Sequence, residues 1–162
     1  MVTKKQEEAL KWILSILEKN KIPYQITGGL AAKIYGSKRK LIDIDIAIPK
    51  KYFQKLFSLT EEYVEYGPSE VKGKLWQAYY MKLKYKGQII EIDNFGTKIF
   101  DKKEKKWKKI GYNSKNFEIK KFLGFKCKVI PKKMLIRYKK ILSRKVDLED
   151  IKEISSEPAN CN

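Results

Sequence analysis

The run Leu41-Ile42-Asp43-Ile44-Asp45-Ile46-Ala47-Ile48 constrains this chain most, because it sets two carboxylates one residue apart in an otherwise apolar stretch. The pattern predicts a strand. Side chains alternate along a strand, so Asp43 and Asp45 share one face, with Ile42, Ile44 and Ile46 expected on the other. Two like charges held side by side repel each other. A divalent cation that prefers hard oxygen ligands, magnesium foremost, removes that cost. A solvated strand edge is the plainer reading of the same pair.

The segments around this strand predict a mixed order of elements. Residues 3–20 carry Ala9, Trp12, Ile13, Ile16 and Leu17 at helical spacing, and Pro23 disfavours helix in the residue before it, so a helix and then a short strand over 22–27 are expected. Gly28-Gly29 interrupts the chain before a short apolar helix that Gly36 can end. Pro49 opens a helix containing Tyr52, Phe53, Leu56 and Phe57. Tyr63 to Tyr66 reads as an edge strand ending in a turn at Gly67-Pro68-Ser69. Trp76 to Tyr85 and Gln88 to Phe95 read as two strands joined by a hairpin turn at Lys86-Gly87.

Asp101 to Lys106 is a polar connection, and Trp107 to Ile110 returns to the core or to a surface hairpin. Phe117 to Phe125 fits helix or strand, and Phe125, Cys127 and Val129 alternate as a final strand before Pro131. A helix begins at Lys132, with Met134, Leu135, Tyr138, Ile141 and Leu142 on its apolar face. Leu148, Ile151 and Ile154 predict a last short helix capped by Asp147. This order implies an α+β fold, a mixed β-sheet with helices packed mainly on one face.

A chain of 162 residues supports one ordinary domain, here expected over 1–154, with 155–162 as a tail. No apolar run approaches the roughly 20 residues of a membrane span, and the polar start lacks a signal-peptide core. A cytoplasmic location and no membrane partner are therefore expected. Lys and Arg number 37 against 19 Asp and Glu, and the resulting +18 attracts polyphosphates or nucleic acid. Only Arg39, Arg137 and Arg144 are arginines, which argues against sequence-specific base reading; a lysine bias across the genome or a thermophile-like surface explains the excess as well. Cys127 and Cys161 are too few for a zinc site in a chain without histidine; Cys127 reads as a buried thiol and Cys161 as part of the tail.

Glu91-Ile92-Asp93 repeats the acidic alternation later in the chain. Taken together, Gly28-Gly29-Leu30-Ala31-Ala32, Tyr35-Gly36, Arg39, Asp43-Ile44-Asp45-Ile46 and Pro49 resemble the nucleotidyltransferase superfamily related to the catalytic core of DNA polymerase beta. The resemblance implies a nucleotidyltransferase-like fold, a double-glycine turn before a helix, a D-x-D strand, and a third carboxylate from a later strand. Asp93 is the first choice for that third acid and Glu91 the second. Asp43, Asp45 and Asp93 are thus the expected catalytic and metal-binding residues, holding Mg2+ or Mn2+.

Gly28 and Gly29 would let the backbone approach a triphosphate, the helix start would offer donor N–H groups, and Arg39 resembles the family's basic residue before the acidic pair. Lys139, or Lys140 one register away, matches the lysine that approaches the nucleotide phosphates in small relatives, in a C-terminal part that also includes Val129-Ile130-Pro131, Leu135, Arg144 and Asp147 to Asp150. Leu41 departs from the pattern, since many relatives carry a small hydroxyl residue there. The implied reaction is magnesium-dependent transfer of a nucleoside monophosphate, AMP from ATP foremost, to an acceptor hydroxyl. RNA or tRNA, a small molecule and a protein hydroxyl are the acceptor classes, and a homodimer is allowed. The rival is a non-catalytic RNA-binding or partner-regulating module that keeps the fold.

Overall fold

The computed structural model describes residues 1–155. Helix α1 (Lys4–Lys19) begins at a capping box: the Thr3 hydroxyl accepts the Gln6 backbone N–H at 3.1 Å, and the Gln6 side chain accepts that of Thr3 at 3.0 Å. Ala9, Leu10, Ile13, Leu14 and Leu17 form its buried face. Next come β1 (Gln25–Ile26), α2 (Gly28–Ile34), β2 (Ile44–Ile48), a 3-10 turn (Lys50–Tyr52), α3 (Phe53–Thr60) and a second 3-10 turn (Glu61–Tyr63). Seven strands extend the sheet: β3 (Val64–Lys72), β4 (Trp76–Tyr85), β5 (Gln88–Asn94), β6 (Lys98–Asp101), β7 (Lys106–Lys109), β8 (Glu118–Phe122) and β9 (Phe125–Val129). Helices α4 (Lys132–Leu142) and α5 (Lys145–Ser155) complete the described chain.

The strands form one mixed sheet in the order β7-β6-β4-β5-β2-β1-β9-β8, with β3 paired to β4. β2 runs antiparallel to β1 and parallel to β5, and β1 is parallel to β9. Ile44 and Ile46 of β2 meet Ile90 and Ile92 of β5 in this register, and all four are fully buried. α1 packs on β5, α2 on β2 and α4 on β6, while α2, α4 and α5 also touch one another. This is the mixed α+β architecture that the element order predicts.

The hairpin turn at Lys86-Gly87 has φ of 46° and 81°, the left-handed pair that a two-residue connection requires. Leu123-Gly124 repeats it with φ of 53° and 85°, which resolves 117–125 as the facing ends of two strands. β6 and β7 form a surface hairpin across the polar connection at 102–105.

Four expectations are corrected. β3 does not stop at Tyr66 but runs through Gly67-Pro68-Ser69, with register shifts around them. A strand paired on one side tolerates a proline, because the missing N–H points away from the ladder. Ile42 lies before the start of β2 and is 59% exposed, so it leaves the apolar face. Asp147 lies within the first turn of α5 rather than preceding it, and Leu148 is exposed. Cys127 is buried as expected. Cys161 and the expected tail from residue 156 onward lie outside the described residues.

No helix among the described residues is long and apolar enough to cross a membrane. Replacing Ile46 by Ala is expected to cost about 2–5 kcal/mol of unfolding free energy, and Ile42→Ala less than about 0.5 kcal/mol. Chemical denaturation midpoints of the two variants check the contrast.

Candidate active site

The first βα turn builds the centre of the site. Gly28 adopts φ of +59°, and a Cβ built on it would lie 2.2 Å from Oδ2 of Asp45. Any larger residue would therefore collide with the carboxylate as well as strain the backbone. A Cβ on Gly29 would lie 3.0 Å from Nη2 of Arg39. Each glycine of the pair thus makes room for one charged group, Gly28 for an acid and Gly29 for a base. The Gly28 N–H donates to the hydroxyl of Tyr138 on α4 at 2.8 Å.

Both groups face one cavity of about 540 Å³, lined by Asp43, Asp45, Glu91 and Asp93 together with Arg39, Lys139 and Arg144. The parallel pairing sets Asp45 directly opposite Glu91 and Asp93 opposite Ala47. Partners in a parallel ladder point to the same face, so Asp45, Glu91 and Asp93 share one side of the sheet; Asp43 lies just before β2, where the residue pattern predicts strand, and lines the same cavity. Burial pushes the Asp45 carboxyl well above the usual aspartate range, and Glu91, Asp93 and Asp43 push it the same way; a hydrogen bond with Glu91 adds to the effect. Burial and the Glu91 charge also raise Asp43, with Lys82 opposing them.

Asp93 is raised to about 7, first by burial and then by Glu91, against hydrogen bonds from Thr97 and Tyr112 that lower it. Tyr80 donates to Oε1 of Glu91 at 2.8 Å. Glu91 therefore raises both members of the D-x-D pair, while Asp93 raises Asp45 alone. Periodicity alone could not separate these two acids, because strand register decides which of them faces Asp45.

The other charged residues of the lining are basic. Arg39 Nε and Nη2 make a fork to the carboxylate of Asp150, both at 3.0 Å. Lys139 Nζ bridges Asp147 at 3.1 Å and Asp150 at 3.0 Å, with its side chain only 2% exposed. Arg144 forks to Asp147 through Nε at 2.7 Å and Nη2 at 3.1 Å, and its guanidinium lies 5.7 Å from the centre of the Trp76 ring. Burial alone would raise the Asp150 carboxyl, but hydrogen bonds from Arg39, Ser37 and Lys139 outweigh it and hold it below the usual range. Lys140, one position along, is exposed and outside the cavity lining. Sequence pattern does not single out Asp147 and Asp150 as site residues; their i and i+3 spacing on one face of α5 is the available signal.

The donor set fits a hard divalent cation in kind, since the cavity's acidic wall is all carboxylate oxygen. As the side chains stand, no group of three or more Asp, Glu, His or Cys among the described residues is arranged to hold a metal ion. Burial and the neighbouring acids raise the Asp45 carboxyl, and a bound cation would relieve that repulsion.

Solved structures align over nearly the whole chain. A protein of Thermotoga maritima assigned as a nucleotidyltransferase superposes with a TM-score of 0.76 at 18% identity, covering 94% of this chain and 93% of its own. The chain has a nucleotidyltransferase-like fold. The lincomycin-bound lincosamide antibiotic adenylyltransferase LnuA shares this fold with a TM-score of 0.63 at 20% identity, over 96% of this chain and 98% of its own. ANT(2'')-Ia in complex with adenylyl-2''-tobramycin gives 0.59 at 13% identity, over 92% and 87%. No protein-family model matches the chain, and no curated protein matches it by sequence. At these identities the nucleotidyltransferase fold is what is shared.

Raised carboxyl pKa values bind protons more tightly in the folded state, so their stabilising contribution is complete below the unfolded value and is lost as pH rises. For Asp93 that window runs from about 4 to about 7. In chelator-treated protein, melting temperature is expected to fall across this interval, and Asp93→Asn to fall less steeply. Differential scanning calorimetry against pH checks the slopes.

Proposed function

We propose that this chain transfers a nucleoside monophosphate, AMP from ATP foremost, to an acceptor hydroxyl with release of pyrophosphate. The observation that carries the reading is one cavity lined both by Asp43, Asp45, Glu91 and Asp93 and by Arg39, Lys139 and Arg144, with acid and base meeting at the Gly28-Gly29 turn. In this reaction the acceptor oxygen bonds to the α-phosphorus as the bond to the β-phosphate breaks, and pyrophosphate carries the developing charge away. Such chemistry needs positive charge beside the phosphates and an acceptor held in line.

Asp43, Asp45 and Glu91 would hold magnesium in this reading, with Asp93 as the neighbouring acid that Thr97 and Tyr112 orient. Magnesium bound there would supply Lewis-acid activation of the acceptor hydroxyl and neutralise phosphate charge. The chain's own residues do the positioning. Tyr80 fixes Glu91 through its hydroxyl, Arg39 and Arg144 meet the phosphate oxygens, and Lys139 contributes its charge from the buried side of the basic wall. Trp76, Ile42 and Val146 form an apolar part of the lining where water is disfavoured and a base or acceptor ring can rest.

AMP as the transferred group is supported by the adenylyltransferase LnuA and by the adenylyl-tobramycin product held by ANT(2'')-Ia, both of the same fold. The +18 charge favours an anionic acceptor such as RNA over a cationic small molecule. A non-catalytic RNA-binding or partner-regulating role is the second reading, favoured by the lack of a three-ligand metal arrangement among the described residues.

The test is incubation with each labelled NTP, magnesium or manganese, and separate RNA, small-molecule and protein acceptor pools. Label transfer is expected, with ATP as the best donor, and Asp45→Asn and Glu91→Gln are each expected to reduce it by about a hundredfold or more. Metal-dependent NTP binding without transfer to any pool would instead support the non-catalytic reading.

A further inference from the structure

Asp147 and Asp150 are buried carboxylates that do not line the cavity, yet every cation on its basic wall is bonded to one or both of them. We propose that Asp147 and Asp150 are positioning residues for a polyphosphate, aiming Arg39, Lys139 and Arg144 into the cavity from behind. The proposal rests on the nucleotide-transfer reading of the site and assigns to α5 the task of shaping its anion-binding wall.

The geometry carries the case. Three flexible side chains from different places in the fold, the loop after α2, helix α4 and the start of α5, converge on one face. Flexible cations gathered this way repel one another and scatter unless held. Asp150 holds Arg39 by a fork and is itself anchored by the Ser37 hydroxyl at 2.8 Å. Asp147 holds Arg144 by a second fork and also accepts its backbone N–H at 3.2 Å. Lys139, between the two carboxylates, locks them to each other.

Each fork consumes Nε and Nη2 and leaves the Nη1 side of the guanidinium unengaged by its aspartate. The planar guanidinium then presents donors in a fixed direction, the property that suits arginine to phosphate. Gly29 supplies the space in which the Arg39 group lies. Arg144 is bounded on a second side by Trp76. Three cations against two carboxylates leave a single net positive charge, so affinity for an anion would depend on aim more than on the sum of charge.

That balance gives the test an unambiguous sign. Removing a carboxylate makes the wall more positive; if charge alone governed binding, anions would bind more tightly. If aim governs, they bind more weakly. The measurement is calorimetric titration of the full chain with inorganic tripolyphosphate in magnesium buffer, with the melting temperature of each variant recorded. Asp150→Asn is expected to weaken binding by about tenfold or more, the scale of a lost charge-assisted hydrogen bond.

Asp150→Glu keeps the charge, displaces the carboxylate by a methylene and is expected to weaken binding likewise. It serves if Asp150→Asn does not fold. Thr60→Ala removes a buried hydroxyl that donates to the Leu56 carbonyl at 2.7 Å, outside the cavity lining, and is expected to lower melting temperature while binding stays within about twofold of wild type. Where transfer is measurable, Asp150→Asn should raise KM for the NTP more than it lowers kcat.

Unchanged or tighter tripolyphosphate binding by the Asp150 variants would overturn the proposal, as would no binding by the wild type. Binding that depends on Asp150 in a protein that transfers nothing would leave this proposal standing and defeat the catalytic reading. Transfer with an NTP KM unmoved by Asp150→Glu would do the reverse.

Discussion

Parallel pairing of β2 with β5 brings acidic residues from two distant parts of the chain onto one wall, and the site is arranged around the repulsion that results. Asp45 stands opposite Glu91, with Asp43 and Asp93 close enough to raise its pKa further. Four carboxylates at the edge of a core that buries Ile44, Ile46, Ile90 and Ile92 oppose folding at neutral pH. The isoleucines on the other face of the same strands supply the burial that offsets this, so the acidic face and the core face are two sides of one piece of backbone. Such a trade of local stability for a cluster of perturbed carboxylates is common at functional sites.

The basic wall has the opposite character. Two of its three charges are balanced within the fold, by buried aspartates that would themselves be costly alone. Lys139, almost fully enclosed between Asp147 and Asp150, is part of the structure before it is part of any ligand site. Acids left in mutual repulsion and bases held by two buried aspartates give a cavity with two differently prepared sets of charge. The acids raise one another's pKa; the bases are fixed by ion pairs.

Much of this is legible in residue order. The D-x-D strand, the double glycine, the Lys86-Gly87 hairpin and the capped first helix arise from alternation, backbone freedom and side-chain donors acting over a few residues. The features that cannot be read this way depend on contacts across long separations. Choosing between Glu91 and Asp93 as the partner of the D-x-D pair requires the register of a parallel ladder, which no local pattern encodes. Asp147 reads as a cap because aspartate before an apolar run ordinarily is one; its greater part, pinning Lys139 and Arg144, needs α4 folded back against α5. Ile42 is misplaced when strand alternation is extended two residues beyond where β2 begins, and β3 is cut short because Gly-Pro is a stop signal only where both backbone edges must be paired.

β3 has a further consequence for how copies of this molecule meet. Nine residues long and hydrogen-bonded on one side, it is the kind of margin onto which a neighbour's backbone could zip. Pro68 offers no donor there, the irregular spacing about Tyr66 and Ser69 breaks the rhythm a straight strand would need, and Glu65, Glu70 and Lys72 crowd the approach with charge. Continuous sheet extension through this border is thereby discouraged, so self-association, where it occurs, is directed to other surfaces.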